Sequence, residues 1–247
     1  MKFGRILIIA ATVITAAAVY VVVNKSMFLT ASDGVKIAYD FYSVPSPKGW
    51  LILAHMMPAV KESWKEFAEE MRDFGYASIA VDLRGHGQSD GGPSGYQKFS
   101  DAEHQASIKD LESAWEFLQS QGAGAGETAV IGASIGANLG LQFLTKHPEI
   151  SGGVFLSPGD YKGIDSGKLV QNLSADQKAL FVASKQDERA GGDNAAQNQE
   201  YYKLAAAKNK HLIIFDGAGH GTDLLALTNE LNLIEAIKKF LEYGSIN

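Results

Sequence analysis

Cysteine is absent from all 247 residues. That excludes a disulfide framework, a thiol nucleophile and a thiolate metal site. Positive charge is also scarce: 22 lysines and arginines stand against 28 aspartates and glutamates, for a net charge of −6. Setting aside Lys2, Arg5 and Lys25, the three cations of the first 25 residues, takes the remainder to −9. An acidic chain without a basic stripe is unsuited to nucleic acid. His55, His86, His104, His147, His211 and His220 show no ligand spacing such as H-E-x-x-H, so no metal site is expected. No cofactor is expected either, because the Gly-rich pieces at 122–126 and 191–192 lack the spacing of a phosphate-binding loop. There is no internal repeat.

Long apolar runs are likewise missing, with one exception. Lys2 and Arg5 precede Ile6–Val23, eighteen residues without a charge, and Asn24-Lys25 close the run. A basic start followed by such a segment reads as a membrane anchor or a secretory signal. Cleavage near Ala16-Ala17-Ala18 would leave Val19–Val23 as an apolar new terminus, which favours an uncleaved anchor. Lys2 and Arg5 would then stay in the cytoplasm, placing the rest of the chain outside, close to the membrane. Residues 1–25 are accordingly separated from a domain spanning 26–247. The composition, 46% hydrophobic and 20% charged, suits one globular domain with a sizeable core.

Within that domain the periodicity alternates. Phe28–Ala31 and Val35–Tyr42 flank Ser32-Asp33-Gly34 and read as an antiparallel hairpin. Trp50–Ala54, Ala77–Val81, Thr128–Ile131, Gly153–Leu156, Ala179–Ala183 and Leu212–Phe215 are short apolar runs, as in strands covered on both faces. Helical spacing appears between them, at about 63–74 and 101–119, in the stretch ending at His147-Pro148, and at 222–243. Strands alternating with helices after an opening hairpin predict a mostly parallel α/β sheet with helices on both faces.

The chemistry concentrates in the turns that follow strands. Gly132-Ala133-Ser134-Ile135-Gly136 lies between a strand and a helix, where flanking glycines permit a tight turn that lifts the serine hydroxyl clear of the sheet. A serine hydroxyl is a weak nucleophile at neutral pH and needs a base within hydrogen-bond reach. His220 and Asp187 each follow a later strand and would face the same sheet edge. His220 would take the serine proton, and Asp187 would hold the imidazole tautomer. Glu188 and Asp193 share the acid's loop and are alternative carboxylates.

Five motifs together make the chain resemble a serine α/β-hydrolase over residues 28–243. They are Leu53-Ala54-His55-Met56-Met57, the block Asp82-Leu83-Arg84-Gly85-His86-Gly87-Gln88-Ser89, the serine turn, and the loops of Asp187 and His220. The resemblance implies the α/β-hydrolase fold, a Ser134-Asp187-His220 triad, and cleavage of carboxylic esters through an acyl-enzyme. Thioesterase and aminopeptidase members use the same chemistry, and a non-catalytic, membrane-tethered binding domain would keep the same fold. It also implies an oxyanion hole built from the backbone N–H groups of Ile135 and Met57, with Met56 the alternative. Family members often carry His-Gly-x where this chain has His55-Met56-Met57, so two bulky side chains are expected to flank the site. His55 is expected to order its loop, and His86 with Arg84 to shape the turn after the fourth strand. Met56, Met57, Tyr161 and Leu224 are pocket candidates by position. About twenty residues separate Pro158 from the strand at Ala179, too few for a helical cap domain. The expected partner is a small-molecule or lipid-like ester.

Overall fold

The computed structural model describes residues 27–188, 192–227 and 231–246. Eight strands form one sheet: β1 (Met27–Thr30), β2 (Lys36–Tyr42), β3 (Gly49–Ala54), β4 (Tyr76–Val81), β5 (Thr128–Ala133), β6 (Gly152–Leu156), β7 (Lys178–Ser184) and β8 (Asn209–Phe215). Their order is β1-β2-β4-β3-β5-β6-β7-β8. β2 is antiparallel to β1 and β4, and every later pairing is parallel. The predicted α/β sheet with its opening hairpin is therefore present. Gly34, at φ +85°, closes the hairpin turn, and Ala31 N–H donates to Val35 O.

Why the central strands read as continuous apolar runs is visible in their two faces. Along β3, Trp50, Ile52 and Ala54 pack into one hydrophobic layer, and Leu51 and Leu53 into the other. Helices cover both. The first layer receives α3 (Ile108–Ser120), α4 (Ile135–Lys146), α5 (Ser166–Gln171) and α6 (Asn194–Leu204). The second receives α1 (Lys65–Asp73) and α7 (Leu233–Tyr243). In α7, Leu233, Ala236, Ile237 and Phe240 repeat at helical spacing on the buried side. Asn232 caps its start by accepting from the N–H groups of Ile234 and Glu235.

Two predicted helices are broken. The span 101–119 divides into α2 (Asp101–Gln105) and α3, because the chain tightens to three-residue bonds from Ser107 to His104, Lys109 to Ala106 and Asp110 to Ser107. The span 222–243 divides into a 3₁₀ turn at Gly221–Ala226 and the separate helix α7. Between β6 and β7 the only helix is the six-residue α5, so among the described residues no large cap covers the sheet edge. Among the described residues no helix is long and apolar enough to cross a membrane. The proposed anchor at 1–25 lies outside the described residues.

Candidate active site

Five strand ends converge on the carboxyl edge of the parallel strands, the usual ligand edge of an open α/β sheet. β5 delivers Ser134. Its φ of +53° and ψ of −116° put a non-glycine residue in a sparsely populated region, as expected of a sharp strand-to-helix turn. The two motif glycines are required sterically. A Cβ at Gly132 would lie 2.2 Å from the Gly136 carbonyl oxygen, and one at Gly136 would lie 2.2 Å from that of Ala54. Ile135 is the first residue of α4, directly after Ser134, so its N–H has no acceptor within the helix.

β7 and β8 deliver the acid and the base. His220 Nδ1 donates to Asp187 Oδ2 at 2.6 Å, with both side chains almost wholly buried. That bond leaves Nε2 as the nitrogen carrying the lone pair in the neutral ring. The Ser184 hydroxyl donates to the Gly219 carbonyl, and Gly221 N–H donates to Ser157 Oγ at 3.1 Å, tying the His220 loop to the ends of β7 and β6. Of the alternative acids, Asp193 caps α6 by accepting from Ala196 N–H at 3.0 Å, and Glu188 is exposed. Asp187 is the carboxylate placed on the imidazole.

β3 delivers the loop of His55, Met56 and Met57. His55 is fully buried; its Nδ1 donates to Met56 O at 2.8 Å, and its Nε2 accepts from Leu83 N–H at 3.0 Å. This pair of bonds requires the neutral Nδ1–H tautomer. Burial, aided by the neighbouring His86, pushes the His55 pKa down to about 3, so the ring stays neutral. Because a trans peptide is planar, fixing the Met56 carbonyl toward His55 turns the Met57 N–H the opposite way. His55 thus orders the loop and sets the direction of the Met57 amide. Met56 packs against the layer of α1 and α7, where a Cβ at Gly221 would lie 2.6 Å from its sulfur, and Met57 packs against the opposite layer, so the two half-buried side chains leave the loop on opposite sides. One pocket expectation needs correction: Leu224 is fully buried in the core beneath the His220 loop.

The block after β4 is a latch. Asp82 accepts from the N–H groups of Lys61 and Gln88, and Ser89 Oγ donates to Asp82 O while accepting from Ala38 N–H. Arg84 is held by the fully buried Asp110 through Nε at 2.9 Å and Nη2 at 2.7 Å, and by Asp33 through Nη1 at 2.7 Å. Burial raises the Asp110 pKa to about 6 even with Arg84 beside it. His86 stacks on Tyr96 with ring centres 4.0 Å apart. These residues join the opening hairpin to α3; none contacts Ser134 by hydrogen bond.

β6 delivers a residue whose role sequence reasoning missed. Tyr161 had been a pocket candidate by position only, yet its Oη lies 2.5 Å from Ser134 Oγ. No spacing rule connects an aromatic in a strand-to-helix loop with a nucleophile 27 positions earlier. Among the described residues no group of three or more His, Asp or Glu side chains is placed to hold a metal ion.

The comparisons agree with this fold. The family model described as serine aminopeptidase, S33, matches residues 45–161, just under half of the chain. No curated protein matches. Among solved structures, a predicted CIB-like hydrolase of Thermoplasma acidophilum has a TM-score of 0.66 at 19% identity, covering 88% of this chain and 97% of its own. An esterase of Pyrococcus furiosus has a TM-score of 0.71 at 19% identity, covering 90% and 93%. A soluble variant of the monoglyceride lipase of Saccharomyces cerevisiae has a TM-score of 0.67 at 15% identity, covering 90% and 96%. Likeness at such identities establishes architecture, and the site must be argued from its own residues. By sheet order and elbow the chain has the α/β-hydrolase fold, and over residues 45–161 it is similar to the serine aminopeptidase family.

Proposed function

We propose that the protein is a serine hydrolase that cleaves carboxylic esters through an acyl-enzyme. The observation that carries this reading is the 2.6 Å contact of His220 with Asp187 on the same sheet edge as the left-handed Ser134. Ser134 Oγ attacks the ester carbonyl carbon as its proton passes to His220 Nε2. The resulting oxyanion accepts hydrogen bonds from the N–H groups of Ile135 and Met57. The C–O bond to the leaving alcohol breaks, and the alcohol takes the proton from His220. Water, deprotonated by His220, then adds to the acyl carbon; the C–Oγ bond breaks and Ser134 recovers the proton. Asp187 stabilises the imidazolium formed in each half-reaction.

Thioesters and amides pass through the same tetrahedral intermediate. The serine aminopeptidase description of the matching family model gives aminoacyl amides a place in the test. Short and long p-nitrophenyl esters, thioesters and aminoacyl amides assayed side by side separate the classes. The reading expects the highest kcat/KM on an ester and loss of that turnover in Ser134→Ala. A folded protein that turns over none of them contradicts it and favours a binding role on the same fold. Residues 1–25 belong to the same proposal: held in a membrane as an anchor, or cleaved as a signal, they put the domain outside the cytoplasm.

A further inference from the structure

The segment after β6 is built as a rigid shelf, and the shelf ends at the nucleophile. Pro158 O accepts from the side-chain amides of Asn194 and Asn198 of α6, both buried. Gly159 is clamped twice by Asn138 of α4: its carbonyl accepts from Nδ2 at 2.7 Å, and its N–H donates to Oδ1 at 3.1 Å. Asp160 Oδ1 accepts from Ser166 N–H and from Tyr201 Oη, each at 2.8 Å. The chain then reverses between Tyr161 and Ile164, which pair across the turn. Lys162 at φ +56° and Gly163 at φ +68° form its two left-handed central positions. The turn is seated on α2: Gln105 Nε2 donates to Lys162 O, and a Cβ at Gly163 would fall 2.5 Å from that same nitrogen. Residue 161 is therefore fixed from both sides, and its phenol stands 2.5 Å from Ser134 Oγ.

Direction matters in that contact. Either oxygen can be the donor geometrically. For Ser134 to keep its own proton available to His220, the phenol must donate. Burial raises the Tyr161 pKa above its ordinary value, so the phenolic proton is retained through the working range. The strand order adds the steric consequence. β3 and its amide donor lie on one side of β5, and β6 lies on the other, so Tyr161 stands across the nucleophile from the oxyanion loop. Tyr161 also lines a shallow concavity with Asp160, Gly163, Ile164 and Asp165.

We propose that Tyr161 is a positioning and specificity residue: its hydroxyl donates to Ser134 Oγ, holding the serine for transfer of its proton to His220, and its ring limits the acyl group to a short chain. No proton leaves the phenol during the cycle. The donated bond persists as charge builds on Oγ, first in attack and again when Oγ departs from the acyl carbon in deacylation. Shortening residue 161 joins the concavity to the space beside Ser134 and admits a longer chain.

This proposal rests on the serine hydrolase reading, and its test separates the two. Wild type, Tyr161→Phe and Tyr161→Ala are compared for the second-order rate of fluorophosphonate labelling and for kcat and KM across p-nitrophenyl esters from acetate to decanoate. Circular dichroism checks the fold of each. Tyr161→Phe keeps the ring, and its labelling rate and kcat are expected to fall about tenfold, the worth of one hydrogen bond, with KM and chain-length preference unchanged. Tyr161→Ala shifts the preference to longer chains. A Tyr161→Phe protein that labels and turns over like wild type overturns the hydroxyl's role, and that arm decides even where the alanine variant fails to fold. An unchanged preference in folded Tyr161→Ala overturns the ring's role. Wild type that takes no label overturns the serine reading, and this proposal with it.

Discussion

Ser134 shows how one backbone angle organises a site. A side chain at φ +53° costs on the order of 1–3 kcal/mol, and the surrounding structure must hold it there. Here the hold is mutual: Ser134 N–H donates to Leu156 O, and Ser134 O accepts from Ala137 and Asn138 as the helix begins. The turn holds Oγ at the sheet edge that also carries the buried His220–Asp187 pair, and there Oγ meets Tyr161 Oη. Asp187 bears the tautomer. Replaced by asparagine, residue 187 can present an N–H to Nδ1, which moves the ring proton to Nε2 and removes the base from the serine. Asp187→Asn is therefore expected to fold normally while losing on the order of 10⁴ in kcat. A single p-nitrophenyl ester and a melting curve check it. Near-normal turnover in Asp187→Asn, with loss in Glu188→Gln, would move the acid to position 188. Tyr161 marks the limit of what residues disclose singly. Its contact with Ser134 depends on clamps from α2, α4, α5 and α6 that no local pattern announces.

At the scale of elements, the elbow between β5 and α4 is set by backbone approach. Gly136 lets α4 start against the end of β3, where a Cβ would meet the carbonyls of Ala54 and His55 at 2.2 and 2.8 Å. Gly140, one turn further along α4, would meet side chains alone, Val130 at 3.3 Å and Phe155 at 3.6 Å. Gly136→Ala is thus expected to cost about 1–3 kcal/mol of stability and most of the ester turnover, because the strain moves β3 and its Met57 amide. Gly140→Ala is expected to keep activity, since a methyl group can yield. Denaturant melts and initial rates on the two variants distinguish them; equal behaviour would contradict the argument. The strands were legible in the chain because continuous apolar runs such as Trp50–Ala54 need burial on both faces, and the sheet supplies it. The two helix breaks were not. Ala106 and Ser107 are acceptable within a helix, and the interruption accompanies long-range bonds from Arg84 to Asp110, 26 residues apart. The 3₁₀ turn at Gly221 follows from its left-handed φ of +57° and its bond to Ser157, both tertiary demands.

The whole chain is acidic, and among the described residues the sheet edge that carries Ser134 is open, since only α5 intervenes between β6 and β7. An uncapped edge suits substrates whose bulk remains in solvent. The apolar segment Ile6–Val23, if it anchors the chain, holds that edge near a membrane surface. Fractionation of the full-length protein checks this: an anchored chain pellets with membranes and resists carbonate, and a processed one is soluble and begins near Val19. An uncleaved chain recovered free in the cytoplasm contradicts both. Everything else in the account depends on one hydroxyl. Its most direct test is fluorophosphonate labelling of the wild-type protein and of Ser134→Ala, with the adduct located by peptide mass spectrometry. The account predicts one adduct per chain, on Ser134, and none in the folded alanine variant. A label on another residue, or one that persists in Ser134→Ala, would contradict it.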